Sequence, residues 1–320
     1  MGKRLGFIKR FAVVFVVGLL LYVGGNVYGA ESEKKAYLEG VAFGQKGNSG
    51  AAIKAFSKAI ELKPDFSEAY YSRGLMYYVK GKGDKALADF TKALEIKKDF
   101  AEAYFYRANL YDAKGNLDQA LSDYTKALSI KPDLAPAYSS RGIIYSKKED
   151  FDRALSDFNK ALEIRGAASS GTDYFLRGKA YLSKKIFDKA IADYDQAITM
   201  DPQDVNAYCD RGWAYQETGD LQKALADDTK ALSLDPKYSW AYYDRGLALF
   251  RTGEYKAALS DYKKAMKLNS KGAVDAYKEF VRHEDSQKDP QAAETAQAIK
   301  DLLKSPRGWE KLMGKIHGKK

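Results

Sequence analysis

Residues that most reactive centres need are scarce in this sequence. Its 320 residues include one cysteine, Cys209, and two histidines, His283 and His317. A single cysteine excludes an intramolecular disulfide and a cysteine-rich metal site. Two histidines leave little for a histidine-based catalytic or metal centre. No glycine-rich phosphate loop, metal-ligand cluster or nucleophile-with-base arrangement is visible. The expectation is therefore a chain that is not an enzyme, with no cofactor, no metal and no small-molecule substrate. Proline is also sparse, at seven, while 30% of residues are charged and alanine is frequent, which favours helix. No Asn-x-Ser/Thr sequon occurs, in keeping with a bacterial exported protein.

Acidic residues are missing from the first ten positions, which carry Lys3, Arg4, Lys9 and Arg10. Thirteen uncharged, mostly apolar residues follow, from Phe11 to Val23, and then a small-residue stretch to Ala30. That order suits a secretory signal in residues 1–30, with cleavage after Ala30. Extended to Ala30 the run reaches 20 residues, so an uncleaved N-terminal anchor is the other reading. Either way the expected location is the bacterial periplasm or cell envelope. Net charge is +10, falling to +6 without the four N-terminal cations. Residues 305–320 supply +4 of that remainder, so the middle is nearly neutral. It lacks the clustered cations of a nucleic-acid-binding tract, and no nucleic-acid partner is expected.

The middle is periodic. Arg-Gly or its equivalent recurs at 73/74, 107/108, 141/142, 177/178, 211/212 and 245/246, with Ala108 once in place of glycine. Every step is 34 residues except the one from 141 to 177, which is 36. An aromatic or leucine comes three residues after the glycine and an alanine twelve after it. A ring and a further alanine follow, as in "SDYTKALSIKPD". This pattern resembles the tetratricopeptide repeat (TPR) family, with units at 33–66, 67–100, 101–134, 135–168, 171–204, 205–238 and 239–272. The resemblance implies an all-α fold, a right-handed superhelical solenoid of seven helix-turn-helix repeats within 31–272. Residues 273–304 would form C-terminal capping helices. Trp309, Leu312, Met313 and Ile316 make 305–320 a basic amphipathic tail able to dock on an anionic membrane, on a partner or on the solenoid.

Arginine at the seventh position of the unit departs from the family, which usually has leucine there. Each time an aspartate stands sixteen residues later: Arg73/Asp89, Arg107/Asp123, Arg141/Asp157, Arg177/Asp193, Arg211/Asp227 and Arg245/Asp261. Pairing within each unit leaves none of these residues orphaned, so the pairs are expected to clamp the two helices of one hairpin. Position 24 is Phe or Tyr in six units but Asp228 in the sixth. Two readings apply: a half-solvated rim position, or a binding feature built with Trp213 at some cost in stability. Cys209 reads as a small, semi-buried residue rather than a reactive thiol. The sequence "IRGAASSGTD" between the fourth and fifth units reads as a flexible joint separating 33–168 from 171–272.

The resemblance further implies that ligands lie on the concave face, lined by positions 2, 5, 9, 12 and 13 of first helices. Those positions include Tyr71, Leu75, Tyr78, Phe105, Asn109, Asp112, Phe175, Lys179, Leu182, Trp213, Trp240, Tyr243 and Phe250. The rings are candidate anchors for a protein or extended-peptide partner, or else pack between units. The expected function is a protein-interaction scaffold. A membrane-surface tether docked through its termini is the alternative.

Overall fold

The structure, a computed structural model, describes residues 32–268. The expected signal or anchor segment, the capping helices and the basic tail lie outside the described residues. Every described element is helical. Fourteen α-helices run as α1 Ser32–Gln45, α2 Ser49–Leu62, α3 Ser67–Val79, α4 Gly83–Ile96, α5 Ala101–Ala113, α6 Leu117–Ile130 and α7 Ala135–Lys147, then α8 Phe151–Arg165, α9 Gly171–Ser183, α10 Phe187–Met200, α11 Val205–Thr218, α12 Leu221–Leu234, α13 Ser239–Arg251 and α14 Tyr255–Leu268. A 3-10 turn spans Gly166–Ala168. None of these helices is long and apolar enough to cross a membrane.

Two compact units divide the chain between Asp150 and Phe151. In the first, α1·α2, α3·α4 and α5·α6 are antiparallel hairpins, and each packs on the next through α2·α3, α4·α5 and α6·α7. In the second, α9·α10, α11·α12 and α13·α14 repeat the scheme, with α8 packed on α9. The division does not fall at the Gly166 joint. Instead α8 and α9 are tied across that joint. Arg165 pairs with the buried Asp173, and Arg177 Nη1 donates to Asn159 Oδ1 at 2.8 Å. Asp173 also closes a capping box with Ser170.

Local chemistry sets where each helix stops. Within hairpins the chain turns through a left-handed residue at Gly47, Gly81, Gly115, Gly219 and Gly253, where a missing Cβ removes the steric cost. Glu149 and Lys185 occupy the matching turns at φ 60° and 58° and carry that cost. Between hairpins, Lys63, Asp201 and Asp235 are forced towards extended backbone by the prolines that follow them, which ends α2, α10 and α12. Alanines and one ring at i, i+4 and i+7, such as Ala86, Phe90 and Ala93, form a buried face on every second helix but α12, where Asp228 takes the ring's place. That face cannot be covered within one hairpin, so hairpins stack.

Candidate functional site

Four hairpins are organised around a ring seated on a glycine, at Gly40, Gly74, Gly178 and Gly246. A Cβ added to Gly74 would stand 2.8 Å from the Phe90 ring. At Gly178 and Gly246 it would stand 2.9 Å from Tyr194 and Tyr262. The glycine therefore lets the second helix approach closely enough for its ring to touch the first helix's backbone. A second ring, from position 5, then covers the first. Centroid separations are 5.5 Å for Tyr37–Phe56, 5.9 Å for Tyr71–Phe90, 6.0 Å for Phe105–Tyr124, and 5.9 Å for both Phe175–Tyr194 and Tyr243–Tyr262.

Arg73, Arg107, Arg177, Arg211 and Arg245 meet their aspartates as two-pronged forks. Nε and Nη2 of Arg73 donate to Asp89 at 2.8 Å each, and those of Arg107 donate to Asp123 at 2.7 and 2.9 Å. Arg177–Asp193, Arg211–Asp227 and Arg245–Asp261 match them within 2.7–2.9 Å. The fork to Asp89 raises the Arg73 pKa against the opposing effect of desolvation. Arg141 and Asp157 fall on opposite sides of the division between the units. Within its own unit Arg141 donates to Thr125 Oγ1 at 3.2 Å.

That last bond belongs to a second series. The free Nη1 of each arginine reaches back to the preceding second helix: Arg73 to Ser57, Arg107 to Thr91, Arg211 to Asp195 and Arg245 to Thr229. The guanidinium also lies over tyrosines three residues before it and four after, as Arg107 does over Tyr104 and Tyr111 at 5.5 and 5.9 Å. The arginine thus clamps its own hairpin and ties it to the one before. The upstream partners were legible as a run of polar residues at position 25: Ser57, Thr91, Thr125, Asn159, Asp195 and Thr229.

The expected ligand-facing residues divide by burial. Tyr71 is 4% exposed, packed against Phe90, Phe100 and Tyr106. Leu75, Tyr243 and Phe250 are likewise buried. Tyr71 and Tyr243, at position 5, are buried over Phe90 and Tyr262, and Leu75 and Phe250, at positions 9 and 12, belong to the core with them. Tyr78 and Phe105 are half-buried and pack edge-on against Tyr106. Asn109 Oδ1 accepts from the Tyr124 hydroxyl at 2.6 Å, and Asp112 pairs with Lys147 at 2.5 Å. In the second unit Phe175, Leu182 and Trp213 are half-buried. Lys179 sits 5.6 Å over the Phe175 ring and 3.8 Å from Asp210. Trp240 is 43% exposed and edge-on to Tyr243.

The sixth hairpin departs from its neighbours. Its position-5 and position-24 residues are Cys209 and Asp228, a thiol and a carboxylate where five other hairpins pair two rings. Asp228 is not a half-solvated rim residue: it is 0% exposed, and neither carboxylate oxygen has a hydrogen-bond partner among the described residues. The physical reason is its register. It stands over Gly212, with Oδ1 3.0 Å from where a Cβ would be. Cys209 Sγ donates to Asp244 Oδ2 at 3.0 Å, and the Gln216 side-chain amide donates to the Asp244 carbonyl at 2.9 Å. Burial raises the pKa of Asp228 well above the carboxylate range, reinforced by the Asp244 charge. It lifts Asp244 to about 7 and pushes the Cys209 thiol up. The sequence shows no metal-ligand cluster, yet Cys209, Asp228 and Asp244 place ligand atoms within 4.8 Å of one another. Their spacing of 19 and 16 residues hides them until three helices stack.

Among curated proteins none matches the chain at a significant level. Solved structures do. YrrB, a TPR protein with an unusual peptide-binding site, is 28% identical over 59% of this chain and 97% of its own, at a TM-score of 0.51. A tetratricopeptide repeat protein from Parabacteroides merdae is 24% identical over 77% of this chain and 96% of its own, at 0.55. PilF of Pseudomonas aeruginosa is 15% identical over 65% and 94%, at 0.57, a likeness of fold. Tetratricopeptide and TPR repeat family models match residues 37–99, 101–134, 135–166, 178–219, 205–238 and 239–271. With helices starting where those matches start at 101, 135, 205 and 239, the chain belongs to the tetratricopeptide repeat family.

Proposed function

We propose that this chain is a non-enzymatic scaffold that holds a protein or an extended peptide against its first helices. The observation that carries this reading is the set of rings left partly open once the core is complete. These are Tyr78 and Phe105 in the first unit, and Phe175, Trp213 and Trp240 in the second. Large rings with few rotatable bonds lose little entropy on binding and bury much area. Asn109 and Asp112 in the first unit, and Lys179 in the second, add polar groups to fix an orientation. The likeness to YrrB, with its peptide-binding site, supports the same reading. We also read the chain as exported, from the charge and hydropathy order of residues 1–30. The mass of the mature N-terminus tests that part.

Capture of partners from an envelope extract by the purified chain tests the scaffold. Replacing Tyr78 and Phe105 by serine should weaken capture at least tenfold while leaving far-UV circular dichroism unchanged. Replacing Lys92, on the exposed side of α4, should change nothing. Equal capture by all three proteins would reject this face. Liposome binding by the chain, lost on removing 305–320, would then favour the tethering role.

A further inference from the structure

We propose that Cys209, Asp228 and Asp244 form a buried site for one divalent transition-metal ion of the zinc class. Three helices supply the donors: α11 the thiol, α12 and α13 the carboxylates. All three residues are buried, and their ligand atoms lie within 4.8 Å of one another. The decisive observation is Asp228, fully buried with two oxygens that nothing among the described residues satisfies. A buried carboxylate without partners is strongly destabilising, and a cation among the three donors removes that cost. The cysteine's one proton is directed to Asp244, so it leaves Asp228 unrelieved.

The substitution pattern points the same way. Five hairpins put a ring at position 5 and a ring at position 24. The sixth replaces both at once, by sulfur and by carboxylate. Gln216, two turns along α11 from Cys209, adds a buried side-chain oxygen with no partner among the described residues. Thiolate with carboxylates suits zinc, a borderline-soft ion that accepts both in four-coordinate sites. Calcium and magnesium favour six or more oxygens. Around tetrahedral zinc, sulfur and oxygen ligands stand about 3.5 Å apart, within the spread of these donors.

Cobalt(II) is the probe, because a cobalt–thiolate bond gives an intense near-ultraviolet charge-transfer band that histidine or carboxylate binding does not. The reduced, chelator-treated full chain should take up one equivalent with that band, and zinc should displace it. Zinc should also raise the melting temperature. Cys209→Ser should abolish the band, and Asp228→Asn should weaken cobalt binding at least tenfold. Asp228→Tyr restores the ring found in the other repeats; it should keep full helicity and show no band. Absence of the band in the parent chain at saturating cobalt would overturn the proposal. So would an undiminished band in Asp228→Tyr.

Discussion

The second and sixth hairpins share one backbone design and resolve it in opposite ways. In the second, Gly74 seats Phe90, Tyr71 covers Phe90, and the one buried acid, Asp89, sits in the fork of Arg73. In the sixth, Gly212 faces Asp228 and the covering residue is Cys209. Asp227 is held by Arg211, while its neighbour Asp228 is held by nothing among the described residues. Two adjacent carboxylates on one helix are thus one partnered and one not. A repeat specifies where side chains go, and single substitutions decide whether that place is hydrophobic core or a polar centre.

The largest expected effect tests the partnered side. Arg107→Leu leaves Asp123 buried without its fork and should cost about 3–5 kcal/mol. Changing Asp123 to leucine as well should recover most of that. Strict additivity of the two single losses in urea unfolding would mean that the pair does not act as a unit. Next comes the ring pair. Tyr71→Ala empties a core site and should cost about 3 kcal/mol, whereas Trp240→Ala, on the exposed side, should stay within about 0.5 kcal/mol. Similar losses for both would erase the distinction between packing rings and open rings.

Asp228→Tyr reverses the difference between the two hairpins. In metal-free protein it should stabilise by about 1–2 kcal/mol, because it replaces an unpartnered buried carboxylate with the ring of the third, fifth and seventh repeats. A lower melting temperature in the absence of metal would show that Asp228 already has a favourable environment. The smallest effect lies in the turns. Lys185→Gly relieves a left-handed lysine where Gly219 and Gly253 stand in the following hairpins, and should gain roughly 1 kcal/mol. A thermal melt without an upward shift would mean that the lysine side chain offsets its backbone cost.

The chain's own spacing determined much of this. A period of 34 fixed the hairpin boundaries, because each unit is two helices of fixed rise joined by short turns. The Arg–Asp partnership was legible too, since sixteen residues span one hairpin and that distance hardly varies. What stacking decides was not legible. Position 5 reads as a ligand-facing ring, but Tyr71 and Tyr243 are buried because the ring beneath them needs a cover. Asp228 reads as a rim residue, but its register over Gly212 buries it completely. Asp244 gave no signal, because it joins Cys209 only when α13 packs beside α11. Local spacing is set by covalent geometry, which the sequence states directly. Contacts between successive hairpins depend on how side-chain volumes fill the space between them, and that is settled only when the helices pack.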